Sequence, residues 1–151
     1  MSTTQPIRSK QLLHDFKEYY LTKQPNSRNY TLILIGLNTA LRINDILHLT
    51  WGDVYCTEHS RFYTHLLITE KKTEKETRIL INRELQETLL SYRKTQTSIA
   101  DTDYLFPSPR KADSPLSRYQ AYRIVRKAAE AVGIEDVIRC HSCLLYTSPS
   151  P

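Results

Sequence analysis

Residues Thr39–Val54, TALRINDILHLTWGDV, carry the most specific pattern in this chain. Apolar residues follow Arg42 at the spacing of one face of a short helix, namely Ile43, Ile46, Leu47 and Leu49. The segment Trp51–Val54 then predicts the start of a strand. Such a segment would hold the Arg42 guanidinium rigidly at the start of a helix, pointing away from the core. Because a guanidinium is planar and carries five N–H donors, it suits a phosphate above other ligands.

The same stretch resembles the first arginine box of the tyrosine recombinases, the phage-integrase family. That box has a small residue, Leu-Arg, an apolar residue, a short polar residue, an acid, and then Leu-x-Leu-x-Trp-x-Asp. Here it begins Ala40-Leu41-Arg42-Ile43-Asn44-Asp45 and continues through Leu47, Leu49, Trp51 and Asp53. Arg42 alone would suit an exposed helix arginine, but the whole box favours a catalytic arginine. Asp45 lies about one turn later, where it can pair with Arg42 or simply be solvated.

Composition is that of one soluble globular domain. The chain has 151 residues, 40% of them hydrophobic and 25% charged, with a net charge of +5. This charge permits nucleic-acid binding without requiring it. The sequence has no apolar run long enough to span a bilayer, and its first ten residues are polar. We therefore expect a cytoplasmic protein without a membrane partner or a small-molecule substrate.

The cysteines predict neither a disulfide framework nor a metal site. Cys56 stands alone, whereas Cys140-His141-Ser142-Cys143 has the C-x-x-C spacing without a second ligand pair nearby. The remaining histidines are scattered, at His14, His48, His59 and His65. We therefore expect no metal and no cofactor.

Periodicity predicts an α+β fold that is mainly α. Helical patterns cover Ser9–Leu21, a second helix that Asn26 or Ser27 caps, a third that Asn82 caps, and a fourth from Pro115 to Gly133. Between them the period changes to two, which predicts strands at Val54–Tyr55, Arg61–Thr69 and Thr77–Ile81. The expected architecture is a helical catalytic core of the tyrosine-recombinase type, with a small three-stranded antiparallel sheet at one edge.

Two further groups of cations are candidate DNA contacts. The charged connection Glu70–Glu76 suits a solvated turn, but it also resembles the family hairpin whose lysine enters the minor groove of DNA. The resemblance favours Lys72, leaves Lys71 open, and makes Lys75 a DNA-binding candidate. On the fourth helix, a cationic face suits either phosphate contacts or plain solvation. Its members are Arg118, Arg123, Arg126 and Lys127.

The family pattern ends near residue 142. Val137–Ser142 resembles the approach to the second box, His-x-x-Arg, in which His141 is the histidine, but position 144 is Leu144 instead of arginine. The last nine residues, CLLYTSPSP, fit no part of the family. We expect residues 1–142 to be a partial catalytic domain. Residues 143–151 would be a tail outside the fold, disordered or artefactual.

The resemblance implies site-specific DNA recombination or integration through a 3′-phosphotyrosyl intermediate. The arginines would stabilise charge on the phosphate, Lys72 would protonate the leaving 5′ oxygen, and His141 would assist proton transfer. Because this chain lacks the second arginine and the nucleophilic tyrosine, we expect it to be inactive alone. The implied partners are double-stranded DNA and, at full length, further copies of the protein on DNA. A non-catalytic DNA-binding module, or a protein with no activity, are the alternatives.

Overall fold

The computed structural model describes residues 6–69 and 73–133, with side chains from Lys10 onward. The helices are α1 (Pro6–Glu18), α2 (Ser27–Thr39), α3 (Ile43–Leu47), α4 (Trp51–Val54), α5 (Arg83–Lys94) and α6 (Arg118–Ala131), and a π-helical segment, the π-turn, spans Tyr19–Lys23. The strands are β1 (Tyr55–Cys56), β2 (Arg61–Phe62), β3 (His65–Thr69) and β4 (Glu76–Leu80). The predicted α+β class, mainly α, is confirmed.

Helix α2 forms the centre of the core. Its residues from Leu32 to Gly36 are all buried, as the apolar run predicted. The helix packs against α1, the π-turn, α3 and α5, which contribute buried side chains such as Phe16 and Leu89. Each such side chain stabilises the fold by roughly 1.5–3 kcal/mol. Of the two predicted caps, Asn26 is the one used, since its side chain accepts a hydrogen bond from the Asn29 amide.

The predicted three-stranded sheet is wrong, because the strands form two separate antiparallel pairs. β1 pairs with β2, and β3 pairs with β4 in the register His65↔Leu80. The predicted strand Arg61–Thr69 breaks at Tyr63 and Thr64, where the backbone changes its hydrogen-bond partners. The Tyr63 amide donates to the Val54 carbonyl, and the Thr64 carbonyl accepts from the Ile81 amide, both at 2.8 Å. These two bonds join the pairs end to end.

Trp51–Val54 is one turn of helix rather than the predicted start of a strand. The Asp53 carboxylate accepts a hydrogen bond from the Thr50 amide at 2.9 Å, which closes a capping box around this turn. The chain becomes extended only at Tyr55. An acid placed three residues after a threonine therefore overrides the strand preference of Trp51 and Val54.

Helix α6 closes the described part of the molecule. Ser117 caps it by accepting from the Gln120 amide, and Gly133, with a φ of 79°, follows its end as predicted. The apolar side is buried and consists of Ala121, Ile124, Val125, Ala128 and Ala129. Of the helices described, none has the length and apolar character that a membrane crossing requires.

Candidate nucleic-acid interface

Arg42 is held between two buried neighbours at the start of α3. Helix α2 ends at Thr39, and the next residue, Ala40, has a left-handed backbone (φ 58°, ψ 23°) that turns the chain. Arg42 itself is extended, and its carbonyl accepts the first hydrogen bond of α3 from the Ile46 amide at 3.1 Å. Leu41 and Ile43 are buried, whereas the Arg42 side chain is exposed. The guanidinium is thus presented to solvent from an anchored backbone, as the sequence predicted.

The loop between α5 and α6 holds the residues that follow α3, from Leu49 to Gly52. The Trp51 amide donates to the Asp103 carbonyl, and the Gly52 amide donates to the Asp101 carbonyl, both at 2.9 Å. The Leu105 amide donates back to the Leu49 carbonyl at 3.0 Å. At Gly52 the contact is so close that an added Cβ would lie 3.0 Å from the Asp101 oxygen. A side chain at position 52 would require the Asp101 backbone to shift by a few tenths of an ångström, which favours glycine there.

Asp45 was predicted to pair with Arg42 and orient it. Its side chain is half-buried on α3, and among the residues described no ion pair joins it to Arg42. The supporting role of Asp45 stays a prediction.

The hairpin between β3 and β4 presents Lys75. This residue is exposed, and its amide donates to the Thr73 hydroxyl at 3.2 Å, next to Glu74 with a φ of 56°. The other predicted hairpin residues, Lys71 and Lys72, lie outside the described residues, as does His141. The roles assigned to these three residues remain predictions.

Three of the four predicted α6 cations line one open groove of roughly 740 Å³, the α6 groove. Arg123, Arg126 and Lys127 are all exposed there. Pro25, Asn26 and Arg28 line it from the π-turn side, and Glu130 adds one carboxylate. Arg118 is exposed at the first position of α6, but neither it nor Arg42 is among the described residues that line the groove.

Arg28 is a groove residue that the sequence analysis missed. Its Nε donates to the Asn29 side chain at 3.0 Å, which orients the guanidinium. The π-turn is tied to α6 by the Tyr20 hydroxyl, which donates to the Ile124 carbonyl at 2.7 Å. Burial raises the pKa of Tyr20 to about 12, so this donor keeps its proton at neutral pH. Because this contact joins distant parts of the chain, no local pattern marked Arg28.

An exposed aromatic side chain stands beside these cations. Tyr119 is 70% exposed, and the Arg123 guanidinium lies 5.8 Å from the centre of its ring. This is a cation–π distance, which restrains Arg123 without neutralising it. The surface thus combines positive charge with an exposed aromatic ring.

Comparison with known proteins identifies the family of the chain. The model of the "Phage integrase family" matches residues 5–143. The "Probable integrase/recombinase YoeC" of Bacillus subtilis (strain 168) is 42% identical over 137 residues, which cover 91% of this chain and 69% of that protein.

Two solved structures share the fold. XerA recombinase aligns with a TM-score of 0.66 at 19% identity, over 89% of this chain and 46% of its own. A lambda integrase dimer bound to a COC′ core site aligns with a TM-score of 0.58 at 17% identity, over 93% of this chain and 51% of its own. The chain thus spans about half the length of these structures. It belongs to the phage integrase family, the tyrosine recombinases.

Proposed function

We propose that this chain binds double-stranded DNA and forms part of the catalytic domain of a site-specific recombinase. The observation that carries the proposal is the anchored, exposed Arg42 at the start of α3. Support comes from the lambda integrase structure of the same fold, which is bound to a core site. In the full-length protein, the activity would be DNA strand breakage and rejoining through a 3′-phosphotyrosyl bond, carried out by several copies on DNA.

Arg42 would contact the non-bridging oxygens of the scissile phosphate. A guanidinium donates two parallel hydrogen bonds to such oxygens, and its anchored backbone limits the reorganisation needed during the reaction. Loss of one preorganised donor of this kind typically lowers a rate by about a hundredfold to a thousandfold. Lys72 and His141 would supply the proton transfers.

The α6 groove would bind the DNA backbone next to the reacting phosphate. Arg28, Arg123, Arg126 and Lys127 offer four cations, whose contacts to phosphates position a protein without reading sequence. Each contact to duplex DNA contributes about 0.9 to the slope of log K against log salt. Lys75 and Arg118 would add contacts outside the groove.

Salt-dependent DNA binding tests both surfaces. We expect Arg42→Ala to lower the salt slope by about 0.9, and Arg126→Ala with Lys127→Ala to lower it by about 1.8. The matched controls are on α5: Arg83→Ala for the first, and Arg83→Ala with Lys94→Ala for the second. Fluorescence anisotropy with a labelled duplex would give the slopes. If variant and control have equal salt slopes, the change in slope comes from net charge alone, and the proposed contacts are contradicted.

The second candidate function is DNA binding without cutting. It is favoured by Leu144, which stands where the family's second arginine is expected. For residues 1–151 as they stand, we propose binding without strand cleavage, with residues 1–142 as the partial catalytic domain. Incubation with a nicked suicide duplex should give no protein–DNA adduct on a denaturing gel. An adduct that disappears in Tyr146→Phe would contradict this.

A further inference from the structure

We infer that Cys56, Glu58 and His59 form a binding site for a transition metal ion of the Zn²⁺ type. One ligand atom from each residue, a sulfur, a carboxylate oxygen and an imidazole nitrogen, lies within 4.8 Å of the others. The three residues lie at the end of β1 and in the turn that leads to β2. This inference is independent of the proposed recombinase function.

The turn is held in shape by contacts that do not involve a metal. Cys56 pairs with Arg61 across the β1–β2 ladder, which brings the two ends of the turn together. The Ser60 amide donates to the Thr57 carbonyl, and Ser60 has a left-handed backbone (φ 52°). The Thr57 hydroxyl also donates to the Asp101 carboxylate at 2.8 Å, which fastens the turn to the neighbouring loop. The ligand side chains are therefore placed on a preorganised backbone.

The donor set selects the class of ion. A thiolate and an imidazole favour Zn²⁺ or Co²⁺ over Mg²⁺ or Ca²⁺, and a carboxylate is a common further ligand of zinc. Ligand bonds to Zn²⁺ are about 2.0–2.3 Å long, so ligand atoms on one ion lie within about 4 Å of one another. Because Glu58 and His59 are exposed and Cys56 is half-buried, small side-chain rotations can close the remaining gap.

The coordination leaves one position for water. Three protein ligands account for three of the four tetrahedral positions of zinc. The Cys56 thiol would lose its proton as the metal–sulfur bond forms, so the apparent affinity should rise with pH. The Tyr63 side chain lies beside Cys56 and would form part of the outer shell of the site.

The spacing of Cys56, Glu58 and His59 could have indicated this site, but the sequence analysis considered His59 only as one of several scattered histidines. Glu58 and His59 follow Cys56 by two and three positions. Such a short spacing brings ligands together only in a tight turn, and the strand pattern alone did not show where the turn lies.

Cobalt titration tests the site. The protein would carry Cys140→Ser and Cys143→Ser, so that Cys56 is its remaining thiol. After treatment with a chelator, Co²⁺ alone is titrated and the thiolate-to-cobalt charge-transfer absorption is recorded. We expect saturation at one ion per chain, displacement by Zn²⁺, and loss of the absorption in Cys56→Ser.

The remaining variants separate coordination from nonspecific binding. Glu58→Gln and His59→Asn should each lower the affinity by about tenfold to a hundredfold, because loss of even an outer-shell partner has an effect of this size. His14→Asn, an exposed histidine on α1, should change nothing. Zn²⁺ should raise the melting temperature of the parent but not of Cys56→Ser.

Three results would overturn the inference. These are no charge-transfer absorption, an absorption unchanged by Cys56→Ser, or an absorption present only while Cys140 and Cys143 are intact. Far-ultraviolet circular dichroism of each variant identifies any loss of binding that is caused by unfolding.

Discussion

The backbone of Ala40 sets the direction in which the chain leaves α2 toward Arg42. Ala40 has a φ of 58°, a region that an L-residue occupies at a cost of about 1–2 kcal/mol. Its side chain is exposed, so packing does not offset this cost. The arginine box therefore begins with a strained small residue.

Substitution of Ala40 should separate backbone strain from packing. Ala40→Gly relieves about 1–2 kcal/mol of strain but adds about 0.4–1 kcal/mol of unfolded-chain entropy, so we expect stability to rise by about 0–1.6 kcal/mol. Ala40→Val should lower stability by about 1–3 kcal/mol, because a β-branched residue tolerates positive φ poorly. Urea unfolding gives both values. A valine variant as stable as the glycine variant would show that strain is absent.

For single residues, the sequence predicted the exposure of Arg42 but not its side-chain contacts. The exposed position of Arg42 followed from buried residues on either side of it, a pattern that is local. The predicted contact between Asp45 and Arg42 requires a particular pair of side-chain rotamers, which spacing alone does not determine. Their separation by one turn made the contact possible but did not enforce it.

Among the elements, α5 is positioned by its N-cap residue, Asn82, whose side chain also contacts α2. The Asn82 side chain accepts from the Leu85 amide at 2.9 Å, and its Nδ2 donates to the Asn38 oxygen at 2.7 Å. Lys17 of α1 pairs with Glu84 in the first turn of the same helix. One asparagine thus links the start of α5 to the end of α2.

Asn82 variants should resolve its two roles. Asn82→Ala removes both hydrogen bonds, and we expect stability to fall by about 1–2 kcal/mol. Asn82→Asp retains the cap acceptor but loses the donor to Asn38, so its stability should lie between those of the alanine variant and the parent. Thermal and urea unfolding would show this order. If the aspartate variant matches the alanine variant, the link to Asn38 dominates instead of the cap.

The sheet shows where periodicity stops being informative. Alternation located β3 and β4 well, because β3 buries Leu66 and β4 half-buries Ile79, its partner across the ladder. It did not reveal the break at Tyr63 and Thr64, since the break changes backbone partners without changing the alternation of side chains. Pairing is a property of two strands, and a pattern within one strand carries little information about it.

Two buried tyrosines connect distant parts of the whole molecule. Tyr20 donates to the backbone of α6, and Tyr92 donates to the Leu105 carbonyl in the loop behind the arginine box. Burial raises the pKa of each from 10.0 to about 12. Between pH 10 and about 12, the two hydroxyls keep their protons in the native state but have lost them in the unfolded state. Their contribution to stability is therefore complete below about pH 10 and lost as the pH rises through about 12.

Tyr92→Phe should change this pH dependence. The variant is expected to be about 1 kcal/mol less stable at pH 7, because the Leu105 carbonyl loses its donor. From pH 10 to 12 its stability should fall less steeply than that of the parent, by up to about 1.4 kcal/mol per pH unit. Tyr119→Phe is the control, since that hydroxyl is on the surface. Parallel curves for Tyr92→Phe and the parent would contradict the role of this hydroxyl.

The α6 groove and the Cys56 site both depend on contacts across the whole molecule. The sequence identified the α6 cations because they share one helix. It could not add Arg28, which reaches the groove only because the π-turn packs on α6. The Asp101 contact that holds the Cys56 turn likewise comes from a loop far along the chain.

The support of the arginine box by residues 101–105 also has a consequence for protein synthesis. α3 and α4 have five and four residues, too few to form stable helices without tertiary contacts. The backbone partners of the second half of the box, from Leu49 to Gly52, belong to Asp101, Asp103 and Leu105, which are translated much later than Arg42. A nascent chain therefore exposes Arg42 before the second half of its box has these backbone partners. The set of partners is complete only once Leu105 has emerged from the ribosome.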